Sequence, residues 1–378
     1  MFEEGKKMAE IHGAKNVYDF SLGNPNMPPP REVDEELADV IKWEKPTFLH
    51  GYMNNAGYED VRGVIAKSIN KKFNTGFTGK NIIMTVGAAG GLNVTLKTLL
   101  DPDDEVVVFA PYFGEYRVYV DNFGGSLVVI PPNPPGFQPD LKAFEKALTA
   151  RTKAVIVNSP NNPTGVVYSE DTIVKIAEIL KNAQGMFDTD IYLISDEPYR
   201  ELVYDGVTVP YISKYYHNTI VGYSYSKSLS LPGERIGYLA VPDEAAGFEE
   251  LMDGFTTANR ILGFVNAPSL MQRTVARCEE IDLKTDIAGY DRNRETLYRG
   301  LQAAGYDCVK PQGAFYLFVK SPIENDAEFC REAKNYNILI VPGAAFACPG
   351  YFRIAYCVAH ETIVAALPKF RALMEEIE

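Results

Sequence analysis

Short apolar runs rich in β-branched residues alternate with helical periods along most of this chain. The runs predict strands at 82–86, 105–109, 127–130, 154–157, 191–194, 220–223 and 236–240, and the periods predict helices at 57–72, 89–100, 140–148 and 169–181. Strands that are apolar throughout are typical of a parallel sheet, because crossover helices cover both of its faces. The sequence therefore predicts the α/β class with a mainly parallel sheet.

The length and the charge of the chain limit its organisation and its partners. With 378 residues, 46% of them hydrophobic, the chain can bury a large core, and this length predicts one large and one small domain. The formal net charge of −13 argues against nucleic acid, a polyanion, as a partner. A phosphate group would have to be held by local donors.

Signals for membrane insertion and secretion are not found in this sequence. No stretch approaches the roughly 20 apolar residues that a membrane span needs. The first residues include Glu3, Glu4, Lys6 and Lys7, and they lack the apolar core of a signal peptide. We therefore expect a cytoplasmic protein without a membrane partner.

Cysteine and histidine, the residues that form disulfides and bind transition metals, show no informative spacing. The 5 cysteines are odd in number and contain no CxxC pair, so they indicate neither a disulfide framework nor a zinc site. His12, His50, His217 and His360 also lack ligand-like spacing. We predict no metal, and free thiols fit a reducing compartment.

A lysine surrounded by small hydroxyl residues lies near the middle of the chain. Lys227 follows Ser224 and Ser226, and Arg235 comes eight residues after it. A lysine amine attacks a carbonyl only when its pKa falls from about 10.4, which burial or nearby positive charge can cause. Hydroxyls and a guanidinium also suit a phosphate. Together they describe a site for a phosphorylated aldehyde, although the tetrapeptide 224–227 alone is more typical of a surface lysine in a serine-rich loop.

A second phosphate-binding element is predicted at 87–90, GAAG, between a predicted strand and a predicted helix. Free amides at the start of a helix bind anions, and small side chains let the anion approach. Alone, this segment is more typical of a plain strand-to-helix turn. Beside Ser224 and Arg235, we predict that Ala88 and Ala89 form part of a phosphate cup.

These motifs belong to an ordered series: LGNP at 22–25, Tyr52 with Gly57, NSPNNPTG at 158–165, SDEPY at 195–199, Lys227 with Arg235, QGAFY at 312–316 and FRI at 352–354. In this order the series resembles the class I/II aminotransferases, the pyridoxal-phosphate enzymes of the aspartate aminotransferase fold. The resemblance covers residues from about 19 to 357. It implies fold type I: a large domain at 37–289 with a mostly parallel seven-stranded sheet, and a smaller α+β domain formed by 1–36 together with 290–378.

The resemblance assigns several residues to the ring of the cofactor. Asp196, at the end of a predicted strand where α/β sheets bind ligands, would keep the pyridine nitrogen protonated and make the ring an electron sink. Tyr199 and Asn162 would bind the phenolic oxygen, and Tyr112 would stack on the ring face. Seen singly, each has a structural alternative, a turn for Asp196 and Asn162 and a core position for Tyr112.

Other residues of the series are assigned to the substrate and to a partner subunit. Arg353 would bind the α-carboxylate through paired hydrogen bonds, although a strand arginine alone is more often in a surface ion pair. Asn162 and Gly23 would also contact the substrate, and glycine permits close approach of the loop. Tyr52 would reach the phosphate in the neighbouring subunit's site, so the resemblance implies a homodimer with a shared active site.

The resemblance implies an aminotransferase that moves the amino group of an L-amino acid to a 2-oxo acid by a ping-pong mechanism. Lys227 would hold pyridoxal phosphate as a Schiff base, and its freed amine would then move the proton, with Asp196 and Tyr199 assisting. Aspartate, aromatic or broad specificity and 2-oxoglutarate as acceptor are expected. Aspartate is not secured, because one aspartate-using branch has a lysine in the region that reads GAAG here.

Two other classes of function remain open at the level of sequence. A pyridoxal-phosphate C–S β-lyase or decarboxylase would use the same Lys227, Asp196 and Arg353, because the cofactor supplies the electron sink and the site selects the bond. A cofactor-binding effector domain of a transcription regulator would need a DNA-binding module, for which this acidic chain has no room.

Overall fold

The computed structural model describes residues 2–281, 283, 285 and 287–377. The strands are β1 Tyr18–Asp19, β2 Ile82–Thr85, β3 Glu105–Phe109, β4 Ser126–Ile130, β5 Thr152–Asn158, β6 Tyr192–Asp196, β7 Thr219–Ser224, β8 Gly237–Ala240, β9 Tyr316–Lys320, β10 Ile338–Leu339, β11 Val341–Pro342 and β12 Tyr351–Ala355. The helices are α1 Phe2–His12, α2 Arg31–Trp43, α3 Pro46–Leu49, α4 Glu59–Phe73, α5 Gly87–Leu99, α6 Glu115–Asp121, α7 Leu141–Ala147, α8 Glu170–Phe187, α9 Tyr225–Ser228, α10 Phe248–Ile261, α11 Ser269–Glu280, α12 Ala288–Ala303, α13 Asp326–Ala333 and α14 His360–Ile377.

Strands β2 to β8 form one seven-stranded sheet in the order β2-β8-β7-β6-β5-β3-β4. The pairs among β7, β6, β5, β3 and β4 are parallel, and only β8 runs antiparallel to its neighbours β2 and β7. The α/β class and the seven-stranded, mainly parallel sheet predicted from the sequence are therefore confirmed. One boundary differs from the prediction. The sequence predicts a strand that ends before Asp196, whereas in the structure Asp196 is the last residue of β6.

Strand β3 shows why the apolar runs predict this sheet. Val106, Val107 and Val108 are fully buried, with exposed fractions of 0%. Val106 and Val108 pack in the cluster that includes residues of α5 and α10, whereas Val107 packs with residues of α7 and α8 on the other face. Successive side chains of a strand point to opposite faces, so a strand covered on both sides is apolar at every position.

The C-terminal part of the chain forms a second, smaller sheet of β11, β12 and β9, all antiparallel. The N-terminal segment joins this part, because β1 pairs in parallel with β10 through Tyr18 opposite Ile338. Phe20, in the N-terminal segment, packs in one buried cluster with Phe352 and Phe370 of the C-terminal part. These contacts bring the loop after β1 next to β12. The limits of the two domains, 37–289 against 1–36 with 290–378, stay a prediction.

Helix α8 is longer than the sequence pattern predicts. The pattern ends at 181, but the helix continues to Phe187 and ends at Asp188, which has a left-handed backbone with φ of 52°. Gly185 lowers helix propensity by about 1 kcal/mol relative to alanine. Tertiary packing outweighs this cost, because Ala183 in the same turn is buried. Among the helices that the structure describes, none has both the length and the apolarity needed to cross a membrane.

A buried ion pair lies beneath the segment that follows β6. Arg200 is 7% exposed, and its Nη1 donates to Glu197 Oε2 at 2.9 Å. Its Nη2 donates to the hydroxyl of Tyr238 at 3.1 Å, and the guanidinium lies 4.8 Å from the ring centroid of Phe73 and 4.4 Å from that of Tyr223. Glu197 is 2% exposed, so its charge depends on Arg200 for compensation.

We predict that Arg200→Met lowers the free energy of unfolding by about 3–5 kcal/mol, because it leaves the Glu197 carboxylate buried and unpaired. Guanidinium unfolding followed by circular dichroism measures the loss. The matched variant Arg200→Met/Glu197→Gln removes the stranded charge and should recover part of it. A loss below about 1 kcal/mol for Arg200→Met, the range of exposed pairs, would contradict this account of the ion pair.

Candidate active site

A cavity of about 660 Å³ lies at the carboxyl ends of the parallel strands. Asn158, Asp196 and Ser224, the last residues of β5, β6 and β7, all line it. Carboxyl ends of parallel strands are where open α/β sheets bind ligands. Most of the residues predicted from the sequence lie in its wall: Gly23, Ala88, Ala89, Asn162, Asp196, Tyr199, Ser224, Lys227, Arg235 and Arg353.

Lys227 projects into this cavity from the short helix α9. Ser224 caps the helix by accepting a hydrogen bond from the Ser226 amide at 3.2 Å, and Lys227 Nζ donates to the carbonyl of Gly23 at 2.7 Å. Burial lowers the pKa of Lys227 to about 8, and the charge of Arg235 acts in the same direction. Near neutral pH a substantial fraction of the amine is therefore uncharged and nucleophilic.

Asp196 is a buried carboxylate, and only one of its two oxygens has a hydrogen-bond partner among the described residues. Its Oδ2 accepts a hydrogen bond from the Tyr116 hydroxyl at 2.5 Å, whereas its Oδ1 is buried and has no partner among the described residues. Burial raises the pKa of Asp196 to about 7, the hydrogen bond from Tyr116 opposes this shift, and the charge of Glu197 adds to it. A buried oxygen without a partner is costly, so Oδ1 favours a ligand that donates an N–H or O–H.

One end of the cavity is built to hold an anion. Helix α5 begins at Gly87, and a Cβ added there would lie 2.8 Å from Arg235 Nη2, so the guanidinium lies close to the start of this helix. Ala88 lines the cavity in the first turn, and the hydroxyls of Ser224 and Ser226 lie 2.8 Å apart beside it. Free amides, a guanidinium and hydroxyls are the donors that suit a phosphate.

The other end carries a buried arginine. Arg353, on β12, donates from Nη1 to Asn162 Oδ1 at 3.0 Å and from Nη2 to the carbonyl of Ser21 at 2.6 Å. Its Nε is buried without a partner, and no carboxylate among the described residues forms a salt bridge with it. A buried charge that lacks a counter-ion favours an anionic ligand. Asn162 uses its oxygen for Arg353, which leaves its amide nitrogen for a ligand.

The loop after β1 closes over this end of the cavity and requires a glycine. A Cβ added to Gly23 would lie 2.0 Å from the hydroxyl oxygen of Tyr316. That hydroxyl lies 2.9 Å from the hydroxyl oxygen of Tyr199, and the Tyr316 ring lies 4.6 Å from the guanidinium carbon of Arg353. Gly23 thus allows the loop to contact Tyr316 directly. The predicted contact of Gly23 with the substrate stays a prediction.

The structure does not bring Tyr112 into the cavity. Tyr112 is buried against Tyr116, with ring centroids 6.3 Å apart, and its amide donates to the carbonyl of Phe346 at 3.2 Å. Its neighbour Phe113 lines the cavity instead. The physical reason is that the side chains of two adjacent aromatic residues leave the backbone in different directions. Of the two, Phe113 lies in the wall of the cavity.

Tyr52 also lies outside the cavity of its own subunit. Its exposed fraction is 93%. The expectation that Tyr52 reaches the phosphate of a neighbouring subunit stays a prediction.

The sequence also missed residues that complete the site. Phe113, Tyr116, Ser226 and Tyr316 contact the cavity or its carboxylate, and none of them has a predicted role, although Tyr316 ends the QGAFY motif. Ser226 lies inside the lysine motif and could have been included on spacing alone. Tyr116 lies 80 residues from Asp196 in the sequence, so no local pattern indicates their contact.

The polar groups of the cavity match the polar atoms of pyridoxal phosphate, the cofactor that the resemblance implies. Lys227 offers an amine to the aldehyde, and Asp196 Oδ1 offers an acceptor to a protonated ring nitrogen. Arg235 and the start of α5 offer a phosphate site, and the buried hydroxyl of Tyr199 offers a donor to the phenolic oxygen. The residues present therefore fit this cofactor.

Comparison with known proteins agrees with this site. A family model described as aminotransferase class I and II matches residues 15–370. Aspartate aminotransferase of Thermotoga maritima is 30% identical over 370 residues, which is 97% of this chain and 93% of the relative. A probable aspartate/prephenate aminotransferase of Thermus aquaticus is 32% identical over 361 residues, 94% of this chain and 91% of the relative.

A solved structure extends the agreement to three dimensions. The crystal structure of an aminotransferase from Eubacterium rectale has a TM-score of 0.97 and 46% sequence identity, and the match covers 100% of this chain and 94% of the other. The chain therefore belongs to the class I and II aminotransferases, a family of pyridoxal-phosphate-dependent enzymes of fold type I.

Proposed function

We propose that this enzyme transfers the amino group of an L-amino acid to a 2-oxo acid in two half-reactions, with pyridoxal phosphate held by Lys227. One observation supports this most strongly: a single cavity contains a lysine with a lowered pKa, a carboxylate oxygen without a partner and a buried guanidinium nitrogen without a partner among the described residues. An aldehyde, an N–H donor on a ring and a carboxylate on a substrate would satisfy these three groups together.

Each residue of the chain has its own task in this proposal. Pyridoxal phosphate supplies a reactive aldehyde and a ring that accepts electrons from the substrate carbon. Lys227 Nζ anchors the cofactor and, once released, carries the proton of the substrate carbon. Asp196 Oδ1 holds the ring nitrogen in its protonated form, and Tyr199 donates to the phenolic oxygen. Arg353 fixes the substrate through its carboxylate.

The side chain of the substrate would face a mostly apolar wall that includes Leu92, Phe113, Val118 and Phe346. The relatives act, by name, on aspartate and prephenate, so aspartate and aromatic donors are the first to test, with 2-oxoglutarate as the acceptor that the family resemblance implies. The cationic residues lining the described cavity are Lys227, Arg235 and Arg353, each of which already has a proposed partner. The apolar wall of this subunit therefore favours an amino donor with an aromatic side chain over a donor with a second carboxylate.

A homodimer with a shared active site is part of the proposal. The segment 41–52 exposes several large apolar side chains, at fractions of 56% for Ile41, 68% for Trp43, 51% for Phe48 and 93% for Tyr52. Neighbouring exposed apolar side chains of this size are typical of an interaction surface. Sedimentation of the purified protein measures the oligomeric state, and Tyr52→Phe tests whether the hydroxyl supports phosphate binding.

Initial rates with one donor and one acceptor test the transaminase proposal. We expect parallel double-reciprocal plots when the donor concentration is varied at several acceptor concentrations, because the first product leaves before the second substrate binds. Intersecting plots would contradict the ping-pong mechanism. Turnover without any acceptor, with release of pyruvate and ammonia from a β-substituted amino acid, would indicate a β-lyase, and release of carbon dioxide would indicate a decarboxylase.

A matched pair of variants tests which aromatic residue supports the cofactor ring. We predict that Phe113→Leu weakens binding of pyridoxamine 5′-phosphate about 2- to 12-fold, because aromatic stacking contributes about 0.5–1.5 kcal/mol beyond burial. Tyr112→Phe keeps the buried ring and should change the dissociation constant by less than about 2-fold. Fluorescence titration measures both. A larger effect of Tyr112→Phe than of Phe113→Leu would restore Tyr112 as the stacking residue.

A further inference from the structure

Tyr116 makes a contact with Asp196 that the family motifs do not include. Tyr116 lies on α6 with an exposed fraction of 1%, and its hydroxyl is 2.5 Å from Asp196 Oδ2. Burial, and then the charge of Asp196, raises the pKa of Tyr116 well above its ordinary value, so the phenol keeps its proton and is the donor. Tyr116 is not among the residues that line the cavity. It therefore acts on a ligand only through Asp196.

The Tyr116 ring is held on two sides. Tyr112 stacks on it with an interplanar angle of 10°, and Phe113 meets it edge-on at a centroid distance of 5.6 Å and an angle of 79°. Buried aromatic contacts of this kind fix the orientation of a ring. This packing gives buried Tyr112 a task as a support behind Tyr116, in place of the stacking on the cofactor that the sequence predicts.

Resting on the proposed function, we propose that Tyr116 is a positioning residue that orients the Asp196 carboxylate with Oδ1 free for the ring nitrogen of the cofactor and favours the ionised form of this carboxylate. The Tyr116 hydroxyl donates a hydrogen bond to Oδ2, so Oδ1 is the oxygen that has no partner among the described residues. A hydrogen bond donated to a carboxylate stabilises its charged form, and it does so more strongly in a buried site.

Other ionisable groups lie near Asp196, and burial and charge affect its pKa together with Tyr116. Burial raises the pKa of Asp196 and Glu197 adds to this, whereas the hydrogen bond from Tyr116 lowers it. Tyr119 on α6 and Tyr199 after β6 are neutral phenols whose pKa values are raised mainly by burial, with a smaller contribution from the charge of Asp196. Lys227 lines the same cavity. Since the resulting pKa is about 7, loss of the hydrogen bond would raise it and increase the protonated fraction of Asp196 at neutral pH.

The test is the pH dependence of cofactor binding by Tyr116→Phe, which keeps the ring and its stacking and removes the hydroxyl. Pyridoxamine 5′-phosphate is the probe, because it binds without a covalent bond to Lys227. We expect the ratio of dissociation constants, variant over wild type, to be about 10- to 100-fold near neutral pH and to fall as pH rises, because at high pH both proteins have an ionised Asp196. Titration of the probe itself is the same for both proteins and cancels in the ratio.

Two further variants separate this role from a loss of packing. Tyr112→Phe, which does not contact Asp196, should give a ratio near one at every pH. In an Asp196→Asn background, Tyr116→Phe should have no pH-dependent effect, since the titrating carboxylate is gone. A ratio for Tyr116→Phe that is the same at all pH values would overturn the inference and leave the proposed function intact. Failure of the wild-type enzyme to bind the probe would instead overturn the proposed function, and this inference with it.

Discussion

Replacing Lys227 with alanine is expected to lower kcat by at least about 10⁴-fold, because in the proposed mechanism one amine serves both as anchor of the cofactor and as carrier of the proton. The structure makes Lys227 suited to both tasks: its Nζ reaches across the cavity to the Gly23 carbonyl at 2.7 Å, and burial lowers its pKa to about 8. Alanine removes the amine without adding volume. The binding of pyridoxamine 5′-phosphate, which needs no amine, should survive.

Two controls make the Lys227 result specific. Lys227→Arg keeps a positive charge, but a guanidinium stays protonated at neutral pH and is no nucleophile, so it should be nearly as inactive as alanine. Borohydride reduction followed by peptide mass analysis should attach the cofactor to Lys227 in the wild type and to no residue in either variant. An alanine variant that retains more than about a tenth of the wild-type kcat would remove Lys227 from the chemistry.

Replacing Arg353 with glutamine is expected to lower kcat/KM for amino acids by about 10²- to 10⁴-fold. Each hydrogen bond to a charged group contributes about 1.5–3 kcal/mol, and a carboxylate clamped by a guanidinium uses two of them. The buried Nε has no partner, and no carboxylate among the described residues forms a salt bridge with Arg353, which supports the proposed binding of a carboxylate. Steady-state kinetics with several amino donors measure the loss.

Arg353→Lys is the matched control, because it keeps the positive charge and loses the planar guanidinium group with its paired N–H donors. We expect an intermediate loss, since a single ammonium cannot reproduce paired hydrogen bonds. Binding of pyridoxamine 5′-phosphate, which has no α-carboxylate, should change by less than about 2-fold in both variants. Equal losses for amino acids and for the corresponding amines without a carboxylate would contradict the role of Arg353 as a carboxylate clamp.

The strands and the ends of the strands were the parts that sequence could predict. A strand covered on both faces is apolar throughout, as in Val106–Val108 of β3, and the motifs after such strands fall at one edge of the sheet. For this reason Asp196 and Ser224 could be placed together without coordinates. Arg353 was found by its position in an ordered series of motifs, since its partners Asn162 and Ser21 are distant in sequence.

The sequence could not predict which of two neighbouring residues faces the cavity, or which residues distant along the chain are in contact. Tyr112 and Phe113 are adjacent aromatics, and only the direction of each side chain decides that Phe113 faces the cavity. Tyr116 meets Asp196 across 80 residues, and the Gly23 loop meets Tyr316 through the pairing of β1 with β10. Such contacts depend on tertiary packing, which local patterns do not encode.

The most direct test of transamination through Lys227 is the absorbance spectrum of the purified holoenzyme after one amino acid is added without any oxo acid. We predict that the visible band of the bound cofactor is lost, that one 2-oxo acid is released per active site, and that a 2-oxo acid added afterwards restores the band. The Lys227→Ala variant should show no such cycle. A band that stays unchanged, or products that keep accumulating without an acceptor, would contradict the assignment as an aminotransferase.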